Sequence, residues 1–154
     1  MQKKTIVQAL LFCIIAIPLY PASVAFLIIE AGPPREGPTS QQTIIWENNL
    51  MEVFFESGHI VTNSPILRLT QRPEDGLPHA AVSDFEDARN GGMDFFVIAV
   101  VNHPAPHNVS LRLFRTNSPE LVTEQTYTDR AFRTRKEEQD TIMEDIRTFA
   151  GTVR

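Results

Sequence analysis

The sequence has one cysteine, Cys13, in 154 residues. A single thiol excludes an internal disulfide and excludes a zinc site built from several thiolates. Basic residues are outnumbered, with 14 Lys and Arg against 19 Asp and Glu and a formal charge of −5. An acidic chain without a basic stripe is a poor partner for nucleic acid, and none is expected. No G-x-S-x-G, P-loop, H-E-x-x-H or dinucleotide fingerprint occurs, which removes the usual signatures of serine hydrolases, nucleotide enzymes and zinc proteases. There is no internal repeat, and no long apolar run beyond the N-terminal one.

That N-terminal run is what the sequence does have. Lys3 and Lys4 precede twelve apolar-rich residues, 6–17, followed by Pro18, Pro21 and the small residues Ala22-Ser23-Val24-Ala25. This is the charged, apolar and small-residue order of a secretory signal peptide, with Ser23 and Ala25 placed before the cut. The expectation is a signal peptide over residues 1–25 and one α/β domain over 26–154. The alternative is retention as a membrane anchor. The run is shorter than the ~20 residues of a spanning helix, but Phe26-Leu27-Ile28-Ile29 follows directly and would lengthen it. Cys13 lies inside the apolar region behind Leu11-Phe12, which does not suit lipidation. Removal of the segment takes away both lysines and the thiol, leaving a charge of −7 and no Cys nucleophile. The expected address is periplasmic or secreted, with membrane contact only if the segment stays.

Residues 26–31 are an apolar run stopped by Gly32-Pro33-Pro34 and read as a buried strand. Thr39 and Gln42 form a possible capping box, after which Trp46, Leu50, Val53 and Phe54 make the stripe of an amphipathic helix stopped by Gly58. Residues 59–69 read as an extended edge segment, bent at Pro65 because proline donates nothing to a ladder. Residues 70–79 read as a surface loop. Ser83 and Glu86 suggest a second box and a short helix ending at Gly91-Gly92. Residues 93–101 leave neither face polar, so this strand is central and covered on both sides. Val109, Leu111 and Leu113 alternate with Ser110 and Arg112, the pattern of a half-buried strand. Asn117-Ser118-Pro119 is a turn, and residues 121–127 are a more polar strand. Thr134 and Glu137 open a last helix with Ile142, Ile146, Phe149 and Val153 on one side. The order β-α-β-α-β-β-β-α predicts an α/β (α+β) two-layer sandwich, a mixed sheet of about five strands with helices on one face and a closing antiparallel meander.

Three stretches carry a resemblance. Leu50 to Gly58 has the form L-x3-F-x2-S-G and leads into a strand. Ala88 to Val97 has the form A-x2-G-G-x-D-aromatic-aromatic-V. The hairpin of residues 109–122 places a turn after Arg112-Leu113-Phe114-Arg115. Together they resemble the small envelope domains grouped around the N-terminal domain of TolB, to which CsgG and LpoB are similar. The glycine that many relatives carry after the central strand is absent from residues 99–102. The resemblance implies an envelope protein that binds or assembles with other envelope proteins. It implies no catalytic residue and no cofactor.

His103 and His107 flank Pro104-Ala105-Pro106, and two imidazoles at this spacing are the metal candidates, although no third ligand adjoins them. With His79 they define the competing reading, a small metal-dependent hydrolase with its site in the loops. A small-ligand or glycan-binding sheet domain is a further alternative. Histidines that converge in one pocket with an acid favour the enzyme. Histidines scattered over separate loops favour a non-enzymatic protein-binding module, with no metal and no cofactor. Glu74, Asp75, Asp84, Glu86 and Asp87 stand around a helix start, where the helix dipole favours carboxylates. Arg130, Arg133, Arg135 and Lys136 precede Glu137, Glu138, Asp140, Glu144 and Asp145, a pattern for pairs along a helix surface. Asn108-Val109-Ser110 matches a glycosylation sequon.

Overall fold

The computed structural model describes residues 21–34, 36–103, 108–128 and 132–153. Six strands and three α-helices run in the order β1 (Ser23–Ala31), α1 (Gln41–Glu56), β2 (Ile60–Asn63), β3 (Leu67–Leu69), α2 (Val82–Asn90), β4 (Phe95–Asn102), β5 (Asn108–Arg115), β6 (Ser118–Thr128) and α3 (Arg135–Ala150). A single 3₁₀ turn, His79–Ala81, precedes α2. The strands form one mixed sheet in the order β2-β1-β4-β5-β6, with β3 also on β1. β1 is parallel to β2, β3 and β4, and β4-β5-β6 is an antiparallel meander. The fold is an α+β sandwich.

Six strands stand where about five were expected because Pro65 cuts the segment after α1 in two. Ser64 N–H still bonds Phe26 O at 2.9 Å. Pro65 has no donor to offer, and pairing resumes at Leu67 opposite Ile29.

Side chains alternate along each strand, so one run of apolar residues feeds two cores. Phe26, Val97 and Leu111 face α1 and α3, where Trp46, Leu50, Phe54, Ile146 and Phe149 close the larger core. Leu27, Ile98 and Phe114 face the other way, where Phe85 and Ala88 of α2 cover them. The helices were expected on one face. α2 lies on the opposite face because β1 and β4 are apolar on both sides, and water would otherwise meet Leu27, Ile29 and Ile98.

The helix ends show which sequence signals were read by the fold. Thr134 caps α3 as expected, accepting Glu137 N–H at 3.1 Å. The cap of α1 is Ser40, one residue beyond Thr39, and accepts Thr43 N–H at 3.1 Å. Ser83 caps nothing. α2 grows directly out of the 3₁₀ turn from Ala81, and Ser83 lies inside it. Gly58, at φ +87°, ends α1, with His59 N–H returning to Phe54 O at 3.1 Å.

The strand boundary at the N-terminus is earlier than the sequence suggested. β1 starts at Ser23, and Val24 and Ala25 are buried in it, paired with Phe95 and Phe96. Ser23 N–H and Ser23 Oγ both donate to Asp94 Oδ2 at 2.8 Å. Ser23 Oγ in turn accepts Asp94 N–H at 3.0 Å.

Candidate functional site

The carboxyl ends of β1, β3 and β4 open into a crevice of about 160 Å³. The topology makes it. The chain leaves β1 for α1 on one face of the sheet and leaves β3 for α2 on the other, so the two connections diverge and leave a gap. Open α/β sheets bind ligands at such divergence points. Gly32-Pro33-Pro34 and Pro38 form one wall, and Leu69 and Thr70 form another. Gly32 allows the close packing of the β1 end against β4. A Cβ there would meet His103 O at 2.3 Å.

Four polar side chains meet at the base. Glu30 ends the apolar run of β1, and its side chain is 10% exposed. Its Oε1 accepts Ser40 N–H at 3.3 Å and stands 3.6 Å from His103 Nε2. Its Oε2 stands 3.6 Å from Arg68 Nε and accepts no hydrogen bond. Arg68 donates from Nη1 to Gly37 O at 2.8 Å and from Nη2 to Thr39 Oγ1 at 3.1 Å, tying the Pro-rich loop to β3. His103, 4% exposed, follows β4, and its Nε2 lies 3.1 Å from Ser40 Oγ.

A serine, a histidine and a carboxylate together invite comparison with a hydrolytic triad. The geometry is different. In a triad the nucleophile and the acid bond opposite ring nitrogens, whereas here Ser40 and Glu30 both approach Nε2. Ser40 Oγ also caps α1 and shares a hydrogen bond with Thr43 Oγ1 at 2.8 Å. The cluster fixes the start of α1 against the ends of β1 and β4.

The histidines proposed from sequence do not gather among the described residues. His103 is in the crevice. His79 begins the 3₁₀ turn on the α2 side, donates its N–H to Glu74 Oε1 at 2.6 Å, and does not line the crevice. His107 lies outside the described residues, as do Arg130 and Pro104-Ala105-Pro106. Among the described residues no group of three or more His, Cys, Asp or Glu is placed to hold a metal ion.

The acidic cluster is used for structure. The His79 backbone N–H holds the Glu74 carboxyl below its usual range. Glu86 pairs with Arg89 at 2.6 Å along α2. Asp75 stands 3.4 Å from Arg112 Nη2. Along α3, Lys136 pairs with Asp140 at 2.5 Å and Arg147 with Glu144 at 3.7 Å, the helix-surface pairs expected there.

Arg112 is the correction to the half-buried reading of β5. Its side chain is 0% exposed. It donates from Nε to Glu124 Oε1 at 3.0 Å and from Nη1 to Glu74 O at 2.7 Å and Gly76 O at 3.1 Å. The loop of residues 70–78 therefore lies across the second face of β5 and is held there by one guanidinium. Glu30, Ser40, Arg68 and Arg112 were not singled out from sequence. The available signals were an acid closing an apolar strand and an arginine inside an alternating one.

β6 is an edge of the sheet. It has 11 residues, is mostly exposed, and pairs only with β5 among the described residues. Its first half is irregular, with Pro119 and register shifts around Phe114. Its second half pairs regularly from Thr123 to Thr128, and exposed Leu121 and Val122 precede it. Tyr127 anchors this half, with its ring 5.6 Å from Trp46 and its OH donating to Asp145 O at 3.1 Å.

No protein-family model and no curated protein matches the sequence. Solved structures do. The PelC dodecamer from Paraburkholderia phytofirmans is similar at TM-score 0.53 and 14% identity, over 87% of this chain and 90% of that one. The LpoB C-terminal domain from Escherichia coli is similar at TM-score 0.42 and 11% identity, over 70% of this chain and 82% of that one. TolB from Acinetobacter baumannii is similar at TM-score 0.44 and 12% identity, over 87% of this chain and 27% of that one. The likeness is one of fold, and TolB and LpoB, named from the packing motifs, are among these structures.

Proposed function

We propose that the chain is an exported bacterial envelope protein that acts by binding or assembling with other envelope proteins, without catalysing a reaction. The observation that carries this reading is the regular second half of β6. It is a solvent-facing strand edge, anchored by Tyr127, with main-chain groups that a partner strand can pair. The irregular first half, with its proline and shifted register, confines pairing to residues 123–128. In the same reading the N-terminal segment is the export signal, and because Ser23, Val24 and Ala25 belong to β1 the reading moves the cut from after Ala25 to before Ser23.

A second copy of the chain is one partner that such an edge accepts, and the PelC structure is itself a dodecamer. Sedimentation velocity on the exported protein distinguishes self-assembly from binding to other chains. Photo-crosslinking residues placed at Thr126 on β6 and at Asp87 on α2 test the surface in intact cells. A discrete adduct from Thr126 and none from Asp87 is expected. The reverse pattern removes β6 from the reading. Metal analysis of protein purified without chelator tests the enzyme alternative. Stoichiometric zinc that disappears in His103→Ala/His107→Ala overturns the binding-module reading.

A further inference from the structure

We infer that the cleft between the first halves of α1 and α3 binds an extended, uncharged stretch of a partner polypeptide, with the Asn49 side-chain amide pairing the N–H and C=O of one of its residues. This contact is additional to the β6 edge. It rests on the binding-module reading only for the class of partner.

α1 buries Trp46, Leu50 and Val53, and helix spacing puts Asn49 on the same side, one turn from Trp46 and one from Val53. An apolar residue would fill such a position. Asn49 stands there instead, 3% exposed, and lines the cleft. Among the described residues its side-chain amide has no hydrogen-bond partner, and neither of its amide atoms is closed off from solvent. A largely buried amide without partners is destabilising. α1 and α3 form the walls, so the group that completes this amide arrives through the cleft.

The amide and its surroundings select the ligand. Oδ1 accepts and Nδ2 donates, side by side. The N–H and C=O of one residue in an extended chain also point the same way, which is how opposite residues of an antiparallel ladder exchange both bonds. One extended residue therefore satisfies both atoms of Asn49 at once. Arg135 and Glu138 line the cleft with opposite charges, and Gln41, Asn48 and Gln139 add only neutral amides, so neither sign of ligand charge is favoured. Half-buried Ile45 offers an apolar contact to a small side chain. The volume of about 180 Å³ is below the ~300 Å³ at which sites for whole small molecules begin, and suits a short piece of a longer chain. No aromatic side chain lines the cleft, so a sugar ring finds no flat wall to stack on.

The test is a titration of the ¹⁵N-labelled protein with N-acetylalanine N′-methylamide, one residue between two peptide groups, followed at the side-chain NH₂ signals of Asn49 and Gln139. Saturable shifts are expected. The analogue methylated on the alanine nitrogen lacks the N–H that Oδ1 accepts, and is expected to bind at least about fivefold more weakly, the factor of one neutral hydrogen bond. Asn49→Leu is expected to weaken the parent probe by at least the same factor. Asn48→Trp leaves Asn49 in place and narrows the mouth, and is expected to weaken binding as well, so the site remains testable if Asn49→Leu fails to fold. Absence of saturable shifts, or equal binding of the N-methylated analogue, overturns the inference. Tighter binding of N-acetylglucosamine than of the alanine probe overturns it too, in favour of a glycan. The Thr126 crosslink does not involve this cleft, so failure here and failure of the β6 reading are distinguishable.

Discussion

Arg112 is a charge with no exposure, made tolerable by the Glu124 carboxylate and the carbonyls of Glu74 and Gly76. Its removal strands Glu124 and the carbonyls of Glu74 and Gly76. Arg112→Ala is expected to cost about 3 kcal/mol, the lower range for breaking a buried ion pair, read as a drop in urea midpoint. Arg112→Lys is expected to recover little, because one ammonium cannot fork between a carboxylate and two carbonyls. Asp94 works on a different axis. The backbone N–H of Ser23, and then its hydroxyl, hold the Asp94 carboxyl below its ordinary value of 3.8. A depressed carboxylate contributes stability above the unfolded pKa and loses it as pH falls through the folded one. Asp94→Asn is therefore expected to be less stable than wild type near neutral pH. The gap should close well below pH 3.8, which urea midpoints measured across that range will show. A constant gap would mean that the side chain acts by packing alone.

At the scale of elements, β4 decides whether the sheet exists. It is parallel to β1 on one side and antiparallel to β5 on the other, and seven of its eight residues are buried. Val97 lies between Phe26 and Leu113 in the ladder, facing the larger core. Val97→Asp places an unpaired carboxylate there and is expected to cost several kcal/mol, comparable to about half the stability of an ordinary domain. A denaturant midpoint close to wild type would contradict the central position of β4. This strand was legible because both of its faces are apolar. β5 was not legible to the same degree. Its alternation gave the α1–α3 face correctly through Val109, Leu111 and Leu113, but Ser110 and Arg112 read as solvent-facing. Both are buried, Arg112 beneath a loop that is distant in sequence. The caps show the same limit. Thr134 was found at its place because Glu137 accompanies it, whereas the start of α1 falls on Ser40, held from outside by Glu30 and His103.

For the whole molecule, the N-terminal boundary matters most. A chain beginning at Phe26 lacks Ser23, its hydrogen bonds with Asp94, and buried Val24 and Ala25. It is expected to be markedly less stable than a chain beginning at Pro21, by several kcal/mol from the lost burial of Val24 and two strand rungs. Thermal melts of the two chains compare them directly. Equal melting temperatures would show that the first turn of β1 is dispensable.

Sequence by itself determined the periodicities, and with them the helices, the central strand, the meander and the α+β class, because burial of one face imposes a period on the side chains that cover it. It also determined the chemistry available to the domain, which has no thiol after the N-terminal segment and carries an excess of acids. Tertiary structure decided what periodicity does not encode. It put α2 on the second face, laid residues 70–78 over Arg112, and brought Glu30, Ser40, Arg68 and His103 to one place from four separate elements. Those partners lie up to 73 residues apart, from Glu30 to His103. Local pattern carries information over a few turns of chain, whereas the order of strands in a sheet is fixed by which faces must be covered together.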